Sequence, residues 1–169
     1  VGDSGRLGTG SYAGNISIGS GSVLEYSSSA SQTLSGIISG SGGLTKGGST
    51  STLVLSGSNT YTGGTTISGG TLQLGASNVL ADTGALTLAG GTFSMGTFND
   101  TVGVVTLSSG SITGSGGVLT GSSYLADNAG GATISAILGG TGSLTKSGTG
   151  TLALSGANTY TGETAISGG

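Results

Sequence analysis

Apolar residues alternate with polar ones in short blocks along the chain, and most blocks are bounded by glycine or by serine-glycine pairs. Leu53 and Leu55, like Leu72 and Leu74, are two positions apart, which places their side chains on one face of a β-strand. Glycine interrupts every helical pattern, and each interior glycine costs a helix about 1 kcal/mol relative to alanine. The pattern therefore predicts short strands at Asn15–Ile18, Val23–Tyr26, Thr33–Ile38, Leu53–Leu55, Thr71–Leu74, Leu86–Leu88, Val102–Leu107 and Thr151–Leu154.

One long segment occurs twice: residues 43–70 of the repeat copy 43–75 return, almost unchanged, as the copy 143–169. The second copy has one residue fewer in the stretch that corresponds to Gly47–Thr52, and a deletion tolerated there predicts a surface turn. Such self-similarity is typical of stacked, quasi-one-dimensional folds. We expect equivalent inward positions for the pairs Leu44/Leu144, Leu53/Leu152, Leu55/Leu154 and Ile67/Ile166.

Three short strands joined by glycine corners between Thr52 and Gly75 match one coil of a parallel β-helix. A hairpin meander is the alternative, because Gly69-Gly70 can form a two-residue hairpin turn. The near-identity of distant segments favours stacking, since identical side chains then form ladders between coils. At about 22 residues per coil, the sequence predicts an all-β, parallel β-helix over residues 1–169, with roughly seven or eight coils.

The composition excludes several classes of function. The 169 residues include 40 glycines and no proline, cysteine, tryptophan or histidine, so thiol chemistry, thiolate metal sites and a Ser-His-Asp triad are excluded. Three basic residues against six acidic ones disfavour nucleic-acid binding. We expect no catalytic residue, metal site or cofactor, because the acids are scattered along the chain at Asp3, Glu25, Asp82, Asp100, Asp127 and Glu163.

The repeated segment resembles the autotransporter-associated β-strand repeat, also called the passenger-associated transport repeat. The resemblance rests on Leu44–Lys46, Leu53–Gly57 and Asn59–Gly64, and on their second copies. It implies a right-handed β-helix in a secreted or surface-displayed passenger domain of a Gram-negative bacterium. Such passengers are exported through a C-terminal β-barrel that this sequence does not contain, so membrane contact is expected only through that absent barrel. Because the chain begins and ends within one strand motif, we expect a section of a longer passenger with uncapped ends.

Two tyrosines of the repeat are candidate surface contacts. Tyr61 and Tyr160 lie on turns of small residues, where an exposed ring could stack on a sugar or contact a partner. The interpretation that we favour is that they cover a coil corner. Lys46 and Lys146 are expected to be isolated, solvated lysines rather than a binding site for anionic glycans.

We expect a non-enzymatic structural or adhesive segment that acts as a rigid rod or fibre element, with adhesin or biofilm fibre as the first interpretation. Its expected partners are coils stacked end to end, as a homo-oligomer or fibre, and glycans or proteins of a host or cell surface. A polysaccharide-active β-helix enzyme is one alternative. An ice-binding solenoid is another, suggested by strands rich in threonine, although their irregular spacing in sequence argues against the flat threonine array that it needs.

Overall fold

The chain forms short strands joined by tight corners. The structure is a computed structural model and describes residues 1–48 and 50–169. None of these residues lies in a helix, so none belongs to a helix able to cross a membrane. The strands are β1 Ser11–Tyr12, β2 Ile16–Ile18, β3 Val23–Tyr26, β4 Gln32–Leu34, β5 Ile38–Gly40, β6 Gly43–Lys46, β7 Thr52–Leu55, β8 Thr65–Ile67, β9 Thr71–Leu74, β10 Leu86–Gly96, β11 Asp100–Gly114, β12 Val118–Ala126, β13 Ala132–Ile134, β14 Ile137–Gly139, β15 Ser143–Lys146, β16 Leu152–Leu154 and β17 Thr164–Ile166.

Every strand pair in the described residues is parallel, so the hairpin alternative is wrong and the parallel solenoid is confirmed. Each strand pairs with the strand one coil further along the chain, which produces a solenoid of about 8 turns. One position can be followed from coil to coil through Leu24, Leu44, Thr65, Leu86, Val105, Tyr124, Leu144 and Thr164.

Each coil has three sides. We call the first side face one; it contains β3, β6 and β8, and the first residues of β10 continue it. Face two contains β4, β7 and β9, and the last residues of β10 continue it. The third side carries β2, β5 and β14, together with the first residues of β11 and β12. The long strands β10, β11 and β12 therefore continue from one side to the next.

Inward side chains form stacked columns in the core. On face two, Leu53, Leu72, Phe93 and Ile112 occupy successive coils of one column, and each is 0% exposed. Complete burial of one such side chain is worth about 1.5–3 kcal/mol. The outward neighbours are polar or half-exposed, as at Gln73, because side chains alternate along each strand.

The register of face two differs from the sequence expectation. Pairing from coil to coil carries the column of Leu53 to Ile134 and then to Leu154, whereas Leu152 pairs with Ala132. Leu53 therefore stacks in the column of Leu154 rather than that of Leu152. The corner before this face has six residues, 47–52, in the first copy and seven, 147–153, in the second. Because the second copy also lacks one residue of the repeat in this corner, its strand is shifted by two residues relative to the repeat. A shift of two keeps each leucine pointing inward. On face one, Leu44 and Leu144 do share a column.

The predicted strand Thr33–Ile38 is wrong as a single element, because the chain turns a corner between β4 and β5. Gly36 lies at that corner, and a Cβ atom there would stand 2.3 Å from the carbonyl oxygen of Gly14 in the preceding coil. Only glycine permits this close approach of two backbones. The other predicted strands are present, with ends that differ by up to a few residues or with extensions into a longer strand.

The corner between faces one and two requires glycine in the middle coils. Gly70, Gly91 and Gly110 have φ values of 62°, 61° and 89°, which favour a residue without a side chain. A Cβ on Gly91 would lie 2.6 Å from the Gly70 oxygen, and one on Gly110 would lie 2.4 Å from the Gly91 oxygen. The three glycines therefore set both the turn and the spacing of the coils at this corner.

Candidate functional site

Tyr61 is buried at a corner and is not available to a ligand. Its side chain is 1% exposed, and its hydroxyl lies 2.6 Å from Oγ1 of Thr65. Burial raises the pKa of Tyr61 well above its usual value. The surface-contact interpretation is therefore wrong for Tyr61, and the ring covers the corner from inside.

Tyr160 repeats this arrangement in the last coil of the chain. Its hydroxyl lies 2.8 Å from Oγ1 of Thr164, and its ring centroid is 6.0 Å from that of Tyr124. Tyr160 is half-buried. Its role as a surface contact stays a prediction.

Both repeat lysines are buried, which corrects the expectation of solvated side chains. Lys46 is 0% exposed and donates a hydrogen bond to the carbonyl oxygen of Gly47 at 2.8 Å, and burial lowers its pKa. Lys146 donates to the carbonyl oxygens of Gly148 and, at 3.3 Å, Gly168. The sequence carried the necessary signal: the lysine lies two positions after an inward leucine, so it must also point inward.

The buried polar groups coincide with long corners between faces one and two. Two corners are short: residues 68–71 connect Ile67 to Leu72, and residues 89–92 connect Leu88 to Phe93. The residue before each of these corners is apolar and buried. The corner after Lys146 spans residues 147–153. A longer corner contains additional carbonyl groups, and buried carbonyls need donors. The ammonium groups supply them, as does Tyr26, whose hydroxyl donates to the Ala30 oxygen at 2.6 Å.

The one-residue deletion between the two copies lies in this same corner, as the sequence predicted. Ser49, within that stretch, lies outside the described residues.

Asparagine side chains connect coils at the corner that precedes the third side. Oδ1 of Asn59 accepts a hydrogen bond from the Ile38 backbone N–H at 2.8 Å, and its Nδ2 donates to the Val79 oxygen at 3.0 Å. Oδ1 of Asn158 accepts from the Leu138 backbone N–H at 2.9 Å. Asn59 therefore connects three successive coils through one side chain.

The two copies thus place the same tyrosine, lysine and asparagine at equivalent positions of the coil. The family profile described as passenger-associated-transport-repeat matches residues 44–74 and 144–169. Two segments of the chain, about a third of its length, are therefore similar to the passenger-associated transport repeat. These repeats imply a surface or secreted protein of a Gram-negative bacterium. Searches of the curated proteins and of the solved structures gave no match.

Stacking of the coils aligns threonines that are nearly one coil apart in sequence. Thr45, Thr66, Thr87 and Thr106 pair in register on face one, and each is half-exposed. Leu125 occupies the next coil and Thr145 the one after it. We call these four consecutive threonines with Thr145 the threonine file. It overturns the argument that irregular spacing prevents a regular threonine array.

A second row of hydroxyl groups runs along face two. It contains Thr52, Thr71, Thr92, Ser111 and Thr133 on successive coils. Oγ1 of Thr92 lies 3.2 Å from Oγ of Ser111, so these two hydroxyls of adjacent coils form a hydrogen bond.

One acid is buried between the repeats. Asp100 is 1% exposed, and its Oδ2 accepts hydrogen bonds from the backbone N–H groups of Val79 and Leu80 at 3.0 and 3.1 Å. Burial raises the pKa of Asp100 to about 6, although the hydrogen bonds from the backbone oppose the shift. Asp82 is exposed, and its charge raises the same pKa further.

The remaining acids are exposed and stay apart. Among the described residues, no group of three or more acidic, histidine or cysteine side chains could hold a metal ion. The exposed acids are Asp3, Glu25, Asp82, Asp127 and Glu163. Sequence reasoning treated Asp100 like these five; its buried position could have been inferred only from the asparagines at the equivalent corners.

Proposed function

We propose that the chain is a non-catalytic structural segment, a rigid spacer in a secreted or surface-displayed rod. The observation that carries the proposal is the unbroken parallel ladder, through which every coil is bonded to the next. Eight coils at about 4.8 Å each give a length of roughly 35–40 Å. In such a fold each coil contacts only its neighbours, so length can change by whole coils without a change in cross-section.

Deletion of one coil tests this proposal. Thr65 and Leu86 are paired on successive coils, so removal of residues 66–86 joins Thr65 to Thr87 and leaves the register intact. Cysteines introduced by Thr45→Cys and Thr145→Cys provide spin-label positions in a chain that has no other cysteine. These positions are five coils apart, or about 24 Å.

We expect a narrow distance distribution near ~24 Å in the complete chain and near ~19 Å after the coil deletion. Deletion of residues 66–75 alone, which removes part of a coil, should abolish folding. A broad distribution in the complete chain, or loss of folding after removal of the whole coil, would contradict the rigid-spacer proposal.

Adhesion along the rod and end-to-end association belong to the same proposal. The half-buried Tyr160 and the exposed Ile166 extend inward positions of the preceding coil. A further coil in the same register, from the same polypeptide or from another copy, would cover them. Sedimentation of the chain over a range of concentrations measures association between copies, and a purely monomeric chain would limit the contact to coils of one polypeptide.

Ice binding is a second candidate, and the threonine file is the observation that favours it. Thr45, Thr66, Thr87 and Thr106 present hydroxyl and methyl groups at the constant strand spacing of about 4.8 Å. A regular array of this kind can order a layer of water. If the chain binds ice, it should lower the freezing point without lowering the melting point, and Thr66→Lys with Thr87→Lys should abolish the effect. Asp127→Lys, at an exposed position elsewhere, is the matched control.

A further inference from the structure

Asp100 lies at the corner position where each repeat has an asparagine whose side chain bonds to the preceding coil. Its side chain reaches back to backbone N–H groups of the preceding coil, as Asn59 reaches Ile38 and Asn158 reaches Leu138. An asparagine amide supplies a donor and an acceptor, whereas an ionised carboxylate supplies acceptors alone. The substitution of acid for amide therefore changes the chemistry of the connection while it preserves its geometry.

The backbone N–H groups of Val79, Leu80 and Thr101 favour the charged form of Asp100, but they leave its second oxygen poorly satisfied. Among the described atoms, Oδ1 of Asp100 is buried and has no hydrogen-bond partner. A buried charge without a cationic partner destabilises the folded state. Here it weakens the contact between the two coils that the Asp100 side chain joins.

The titratable groups facing Asp100 are acids and supply no opposite charge. Asp82, from the segment that precedes β10, raises the pKa of Asp100, and the charge of Asp100 raises the pKa of Tyr61. The basic side chains lie elsewhere. Lys46 and Lys146 bond carbonyl groups at the corner between faces one and two, and Arg6 lies beside Gly10 near the start of the chain.

We propose that Asp100 makes the connection between the coil of β9 and the coil of β11 sensitive to pH. With its proton the side chain holds the corner as a neutral group, and without it the corner carries a buried charge that has backbone donors but no cationic partner. The contact between these two coils is therefore more stable in mild acid than at neutral pH. Because coils interact only with their neighbours, the loosening stays local.

The direction follows from the two protonation equilibria. The pKa of Asp100 rises from 3.8 to about 6 on folding, so the folded state binds the proton more tightly. The stabilisation is complete below about pH 4 and is lost as the pH rises through about 6. A difference of about two pKa units corresponds to a change of about 100-fold in the folding equilibrium constant.

The test compares the complete chain with Asp100→Asn in urea unfolding between pH 4 and pH 8. We expect the variant to gain up to about 100-fold in the folding equilibrium constant at pH 8 relative to the unchanged chain. Near pH 4 the two should be equally stable. Asp127→Asn, which changes an exposed acid, should follow the pH profile of the unchanged chain. Parallel profiles for the unchanged chain and Asp100→Asn would overturn the proposal.

Two measurements on the unchanged chain keep the test decisive if Asp100→Asn fails to fold. A carbon NMR titration of the Asp100 carboxyl should show a midpoint near 6, and a midpoint at 4 or below would overturn the proposal. Amide hydrogen exchange at Val79 and Leu80, corrected for the intrinsic effect of pH, should show protection that falls between pH 5 and pH 7. Protection that stays constant over this range would also count against it.

Discussion

Asn59→Ala should separate the contribution of the asparagine connection from that of the aliphatic core. Asn59 is 5% exposed and contributes two side-chain hydrogen bonds, one to each neighbouring coil. Alanine leaves the Ile38 N–H buried without its partner, at a cost of about 1–3 kcal/mol. The Val79 oxygen loses the bond from Nδ2 but keeps the bond from the backbone N–H of residue 59 at 3.0 Å. Loss of the Nδ2 bond should therefore cost less, about 0.5–1.5 kcal/mol. We expect a total loss of about 2–4 kcal/mol.

The assay is urea unfolding followed by circular dichroism, with Asn158→Ala as the matched control. Asn158 makes the same bond to a preceding coil but is half-exposed, so water can replace the lost partner and the loss should stay near 1 kcal/mol. Amide exchange at Ile38 should accelerate in Asn59→Ala. Equal losses in the two variants, or unchanged exchange at Ile38, would refute the assignment of the connection to the Asn59 side chain.

Three further substitutions test the core and the tyrosine corner by the same unfolding assay. Leu72→Ala should cost about 2–5 kcal/mol because it opens a cavity in a filled column, whereas Gln73→Ala on the outer surface should change stability by less than about 0.5 kcal/mol; similar losses would contradict the assigned faces. Leu55→Asp should prevent stable folding, since it places an unpaired charge in the core. Tyr61→Phe removes a buried bond to Thr65 and should cost about 1 kcal/mol, more than Tyr160→Phe, whose bond is exposed.

Local alternation predicted the strands and the inward leucines, and the repetition of distant segments predicted the parallel stacking. The two-residue shift that places Leu53 in the column of Leu154 could not be predicted. It depends on corner lengths summed over several coils. The threonine file was missed for the same reason: separations in sequence vary with corner length, whereas separations between paired strands do not.

The polar core was the weaker part of the sequence prediction. Lys46 lies in phase with inward leucines, but its charge favours solvent exposure when the sequence is considered alone. Its role as a hydrogen-bond donor becomes visible only beside the corner carbonyl groups. Tyr61 was assigned to a corner correctly, although its inward direction stayed open. Asp100 resembled the other scattered acids because nothing nearby in sequence marks the corner it occupies.

The lysine-filled corner has a consequence for how such an array can evolve. A buried lysine ammonium group can donate hydrogen bonds to additional carbonyl groups at its corner. An insertion or deletion at that corner then changes one edge of the rod and leaves the adjoining coils unchanged. Descendants of one ancestral coil can therefore diverge in length at this edge while recombination continues to exchange whole coils between them. The lysine, which forms no part of the outer surface, would then be the residue that keeps duplicated coils interchangeable.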